Sequence, residues 1–204
     1  MRLFRLAGIA VVAFLLGVAL LAILPDRVKY GITDSVLRLG APDLNISLDS
    51  LSASSKSDVI SRYRNMGLNL RCYNDLRPEE KIGRFNDSLC WALIKTAFGD
   101  ISARQVAFFF YRNKLALVRI EFPVSSSSEV LEYLSANLGD RSRLDDLSGK
   151  KFGFDEYGRP LNVWKVKNGL VTTSAADDSA PNVIILWTSS DILLLEALRS
   201  RFGS

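Results

Sequence analysis

Gln105-Val-Ala-Phe-Phe-Phe-Tyr111, then Arg112-Asn113-Lys114, then Leu115-Ala-Leu-Val-Arg-Ile-Glu-Phe122: this stretch decides how the chain folds. Two runs rich in aromatic and β-branched residues flank a short polar break, which is the pattern of an antiparallel hairpin. Alternation places Phe108, Phe110, Leu115 and Leu117 on one face. It places Phe109, Tyr111, Val118 and Ile120 on the other. Both faces are apolar, so both need cover. Pro123 ends the second strand.

The segment after the hairpin supplies part of that cover. Ser126-Ser-Ser-Glu129 has serine at a cap position and glutamate three residues on, a capping box. The helix it opens carries Val130, Tyr133, Leu134 and Leu138, and Gly139 stops it. Residues 140–160 are polar and glycine-punctuated. Leu161–Lys167 and Leu170–Ser174 then read as a second hairpin around Asn168-Gly169, and Asn182–Thr188 as a last strand. Ser190 caps a final helix whose apolar side is Leu194, Leu195, Leu198 and Phe202.

Upstream of the hairpin, Leu68–Tyr73 and Ser88–Lys95 read as two more strands. Ser57 is read as the cap of a helix over Asp58–Met66, closed by Gly67 in a left-handed conformation. The order of elements is α-β-β-β-β-α-β-β-β-α. Antiparallel strand groups separated by helices define an α+β class, with helices packed on the sheet. Hairpin-then-helix occurs at 88–139 and again at 161–202, which suggests two related halves.

The N-terminus is of another kind. Leu6–Leu24 (LAGIAVVAFLLGVALLAIL) holds 19 residues and no charge. At about 1.5 Å per residue it spans roughly 28 Å, close to the ~30 Å hydrocarbon core of a bilayer. It reads as a retained transmembrane signal-anchor. The alternative is a signal cleaved at Gly17-Val18-Ala19, releasing a periplasmic protein that starts at Leu20. Arg2 and Arg5 ahead of the span favour the N-terminus inside and the body outside. Ala13 and Gly17 form a small-xxx-small pair suited to helix packing in lipid. Seven of the fifteen residues from Ser47 to Ser61 are serine, read as part of a solvated tether. The expected organisation is therefore a cytoplasmic head (1–5), the span (6–24), a juxtamembrane segment and tether (25–56), and an extracytoplasmic α+β domain (57–204).

Charge and cysteine usage agree with that placement. Setting aside Arg2 and Arg5 leaves 24 basic residues against 22 acidic. So nearly neutral a body is not built for nucleic acid. Cys72 and Cys90 are the only cysteines. On the outer side of a membrane they are expected to pair.

The chain contains no histidine. That removes Ser-His and Cys-His nucleophile pairs and imidazole metal sites. Gly149, Gly153 and Gly158 lie around Lys150 and Lys151, but the spacing is not that of a phosphate loop. Nor does the segment match a calcium loop. No catalytic, cofactor or metal site is therefore expected. Asp145-Asp146, Asp155-Glu156 and Asp177-Asp178 are the carboxylates left for a small cell-wall hydrolase. One further feature is the mix of aromatic and basic residues Lys150, Lys151, Phe152, Phe154, Tyr157 and Arg159, a candidate interaction loop.

The expected function is a membrane-tethered extracytoplasmic, periplasmic binding protein without catalysis: an envelope assembly factor, an accessory subunit, or an inhibitor or immunity-type protein. Its expected partners are the inner-membrane bilayer and another envelope protein. A carboxylate-based hydrolase and a ligand-sensing module signalling through lateral partners are the alternatives.

Overall fold

A computed structural model of the chain describes residues 38–77, 81, 85–139, 161–174 and 182–195. Its central element is the hairpin of β5 (Gln105–Tyr111) and β6 (Lys114–Pro123). Around it lie β1 (Arg71–Asn74), β2 (Ser88–Leu93), β7 (Leu161–Val166), β8 (Gly169–Ser174) and β9 (Asn182–Ser189). These seven strands form one antiparallel sheet in the order β1-β2-β5-β6-β9-β8-β7. A separate small ladder pairs β3 (Thr96–Ala97) with β4 (Ile101–Ser102). The helices are α1 (Lys56–Asn65) and α2 (Ser127–Leu138), and residues 190–195 begin another. Residues from Gly40 onward make one compact unit. The chain is thus an α+β protein dominated by antiparallel sheet.

The hairpin turn is tighter than its sequence suggests. Tyr111 pairs with Lys114, so only Arg112 and Asn113 form the loop. Their φ angles are +48° and +63°. Left-handed geometry at both positions is the type I′ turn, whose twist matches that of the strands. Asp87 steadies it by accepting the Arg112 backbone N–H at 2.8 Å.

A β-bulge then changes which residues share a face. Phe109 pairs with Leu117, yet Phe110 pairs with Leu115, so Ala116 is the extra residue. Side chains alternate with a period of two, so one inserted residue flips everything beyond it. Val118 and Ile120 therefore join Phe108, Phe110 and Leu115 on the first face. Leu117 moves to the second face with Phe109 and Ala116. This corrects the assignment made from simple alternation.

The first face carries the main core. Val59 and Tyr63 of α1 and Val130 and Leu134 of α2 lie on it. The Tyr63 ring sits 4.5 Å from that of Phe108. The segment before α1 contributes as well. Leu44, Ile46, Leu48 and Leu51 are all buried in this core. Each such side chain contributes roughly 1.5–3 kcal/mol through burial. Its backbone is also tied down: Leu44 N–H donates to the Thr96 carbonyl, and Leu115 N–H to that of Ser54. Ser54 and Ser55 are half-buried and the other serines of this stretch exposed, while the apolar residues between them pack it onto the sheet. The second face is smaller, with Leu76, Phe109, Leu117 and Ile192 at its centre.

Local signals are met with small shifts. Ser55, not Ser57, caps α1, and its hydroxyl accepts the Asp58 N–H. Gly67 (φ +88°) closes the helix, with Gly67 N–H bonded to the Arg64 carbonyl and Leu68 N–H to that of Tyr63. That pair of bonds is the Schellman arrangement. Ser126 does precede α2, but its buried hydroxyl makes no cap bond. The second hairpin turns at Lys167-Asn168, while Gly169 already pairs with Val166. Gly169 is needed for space, not for the turn: a Cβ there would stand 2.1 Å from the Thr188 carbonyl oxygen. At the last helix, Ser189 takes the capping role through Ile192 N–H. Among its described residues Ile192 is buried, whereas Leu194 and Leu195 are exposed; Leu198 and Phe202 lie outside the described residues.

The two hairpin-helix groups meet at β6 and β9, which are neighbours at the centre of the sheet. Their helices differ in placement: α2 packs on the first face, while Ile192 packs on the second. Among the described residues no helix is long and apolar enough to cross a membrane. Leu6–Leu24, with Ala13 and Gly17, lies outside them.

Candidate functional site

Cys72 and Cys90 are joined by a disulfide. They face one another directly in the β1–β2 register. Cys72 sits on an edge strand whose four residues are all exposed, while Cys90 is fully buried. The bridge thus fastens an edge strand that has no buried side chain of its own.

The candidate interaction loop of Lys150, Lys151, Phe152, Phe154, Tyr157 and Arg159 lies outside the described residues. So do the carboxylate pairs considered for hydrolysis. Ser148 and Lys151, at the Ser-x-x-Lys spacing of serine–lysine nucleophile pairs, also lie there.

The described residues form a groove of about 480 Å³ between α2 and the β3–β4 loop. Its helical wall is one stripe of α2. Glu129, Glu132, Tyr133, Ala136 and Asn137 follow the i, i+3, i+4, i+7, i+8 spacing that shares a helix face. Val130 and Leu134, on the adjoining face, hold the helix to the core. Glu129 also lies in the first turn, where the helix dipole favours negative charge.

The opposite wall is the loop Phe98-Gly99-Asp100. Gly99 (φ +93°) and Phe98 (φ +56°) are both left-handed. For an aromatic residue that costs about 1–2 kcal/mol. The Phe98 ring offsets it by stacking between two others. It lies 4.4 Å from Tyr133 with planes 12° apart, and 5.7 Å from Phe122 with planes 20° apart. Such ring pairs contribute about 0.5–1.5 kcal/mol each beyond burial. The stack holds the loop against α2, and Asp100 lines the same groove as Glu129 and Glu132. Burial raises the Tyr133 pKa above its ordinary value, so its hydroxyl stays protonated at neutral pH.

Among the described residues no group of histidine, cysteine or carboxylate side chains has the arrangement of a metal site. The groove is lined instead by the carboxylates of Asp100, Glu129 and Glu132 around the stacked Phe98 and Tyr133. A second polar cluster lies on the other face of the sheet. Arg119 bonds Glu121 at 2.7 Å, and Asn182 bonds both Glu121 and Arg104.

Sequence reading did not find the groove. The stripe 129/132/133/136/137 was visible as a helical pattern. The loop that completes it follows a two-residue strand, too short for any periodic signal. In comparisons with family models, curated proteins and solved structures, nothing matches this chain.

Proposed function

We propose that this chain is a membrane-tethered extracytoplasmic protein that binds another envelope component and catalyses no reaction. Leu6–Leu24 would anchor it, with the α+β domain on the outer side. Assembly factor, accessory subunit and inhibitor are the roles open to such a domain. The observation that carries the reading is the Cys72–Cys90 bridge, because stable disulfides belong to oxidising compartments. The groove between α2 and the β3–β4 loop supplies a contact surface fixed by a packed aromatic stack.

The test is crosslinking in membranes. A photoreactive residue at the exposed, groove-lining Ala136 is expected to give one discrete adduct with another envelope protein. Absence of an adduct from Ala136 and from every other exposed position would sink the binding reading.

A further inference from the structure

We propose that Asn45 is the acceptor of an N-linked oligosaccharide, transferred on the outer side of the membrane from a lipid-pyrophosphate carrier. This rests on the reading of the domain as extracytoplasmic and adds a covalent modification site to it.

The Asn-x-Ser/Thr acceptor pattern occurs twice in the chain, at Asn45-Ile46-Ser47 and at Asn86-Asp87-Ser88. The fold separates the two. Leu44, Ile46 and Leu48 pack into the main core, while Asn45 and Ser47 between them face solvent. Among the described residues the Asn45 carboxamide has no hydrogen-bond partner. Ser47 precedes the single turn Leu48–Ser50, and its hydroxyl makes no cap bond. A bulky sugar on Asn45 therefore projects into water and displaces no packed group. At the second pattern the reverse holds. Asn86 is 1% exposed, and Ser88 lies in β2 at 7%. A sugar there would have to push the core apart.

Sequence context selects the same residue. Transferases of bacterial envelopes also read an acidic residue two positions before the asparagine. Asp43 stands there for Asn45, whereas Arg84 stands there for Asn86. Packing then sets the order of events. Leu44 N–H donates to the Thr96 carbonyl at 2.8 Å, and Asp43 accepts the Thr96 hydroxyl at 2.7 Å. A transferase must enclose residues 43–47, and the folded chain holds them against β3 and the core. Transfer thus precedes docking of this segment, and folding afterwards leaves the sugar outside.

In the transfer, the Asn45 carboxamide nitrogen attacks the anomeric carbon of the first sugar. The nitrogen–carbon bond forms as the bond from that carbon to the phosphate oxygen breaks. The lipid pyrophosphate leaves with the electron pair, and the nitrogen gives one proton to a base of the transferase. No oxidant or reductant is needed.

The test uses the full chain purified from its native membranes in nonionic detergent, digested and read by tandem mass spectrometry. The peptide holding Asn45 is expected to carry a series of sugar masses, and the peptide holding Asn86 none. The sugar should be lost in Asn45→Gln, in Ser47→Ala and in Asp43→Asn, which keeps an oxygen for the Thr96 hydroxyl. It should be kept in Ser47→Thr, which restores the hydroxyl of the pattern. All three positions are exposed, so the variants should retain the parent's far-UV circular dichroism. An Asn45 peptide found only unmodified would overturn the proposal, as would sugar that persists in any of the first three variants. Labelling the thiols of the same sample separates this failure from that of the compartment reading. Unmodified Asn45 with the Cys72–Cys90 bridge intact removes the glycan and leaves the extracytoplasmic placement. Unmodified Asn45 with both thiols free removes both.

Discussion

Reducing the Cys72–Cys90 bridge should lower stability by about 3 kcal/mol without changing the native fold. The two cysteines are 18 residues apart in sequence. In the chain-entropy model, closing a loop of that length removes about 3.2 kcal/mol of unfolded-state freedom at 25 °C. Native-state contacts add little to this difference. All four residues of β1 are exposed, and the chain on either side of it is held by buried Leu68 and Leu76. Reduction leaves both sulfur atoms in place, so no cavity opens at fully buried Cys90, as it would with alanine. The assay is equilibrium urea unfolding of the full chain in nonionic detergent, followed by far-UV circular dichroism, with and without reductant. With a slope of about 2 kcal/mol/M, the midpoint should fall by about 1.5 M. A fall below about 0.5 M would refute the reasoning. It would mean that the reduced chain keeps residues 72 and 90 close even when unfolded.

Three further outcomes rest on single residues. Gly169→Ala forces a Cβ onto the Thr188 carbonyl across the β8–β9 pair, and should cost about 2–3 kcal/mol in thermal or urea unfolding. Asn113→Val puts a β-branched residue at φ +63° in the type I′ turn, and should cost about 1–2 kcal/mol by the same measure. Burial pushes the Tyr63 hydroxyl up to about 12, opposed in part by the Arg62 charge. Because the folded-state pKa is the higher one, stability from this group is complete below pH 10 and is lost as pH rises from about 10 to 12, by roughly 2–3 kcal/mol at most. Tyr63→Phe keeps the ring against Phe108, and should flatten that part of the stability–pH curve.

Long strands were legible in the sequence because their chemistry is redundant. Seven or more alternating or wholly apolar residues, as in β5, β6 and β9, survive the loss of any one signal. The pairing of Cys72 with Cys90 was legible for another reason: they are the chain's two cysteines, on a segment read as lying in an oxidising compartment. Facing across β6 was not. The bulge at Ala116 depends on how two strands meet, and a single strand does not record it. The serine run misled for a related reason. Composition over residues 47–61 is that of a tether, yet Leu48 and Leu51 are placed to bury, and long-range contacts decide that they do. Cap positions moved by one or two residues wherever several serines competed, as at Ser55 and Ser57. The groove was half legible: its stripe on α2 follows helical spacing, but Phe98 and Asp100 come from a hairpin whose strands have two residues each.

The most direct test of the account is the thiol state of the full chain in intact cells. Cells would be quenched with acid, and free thiols labelled with a maleimide of high mass before and after reduction. A protein whose domain faces the oxidising side should take no label before reduction and two labels after it. Two labels taken without reduction would place Cys72 and Cys90 in a reducing compartment and contradict the extracytoplasmic, tethered reading.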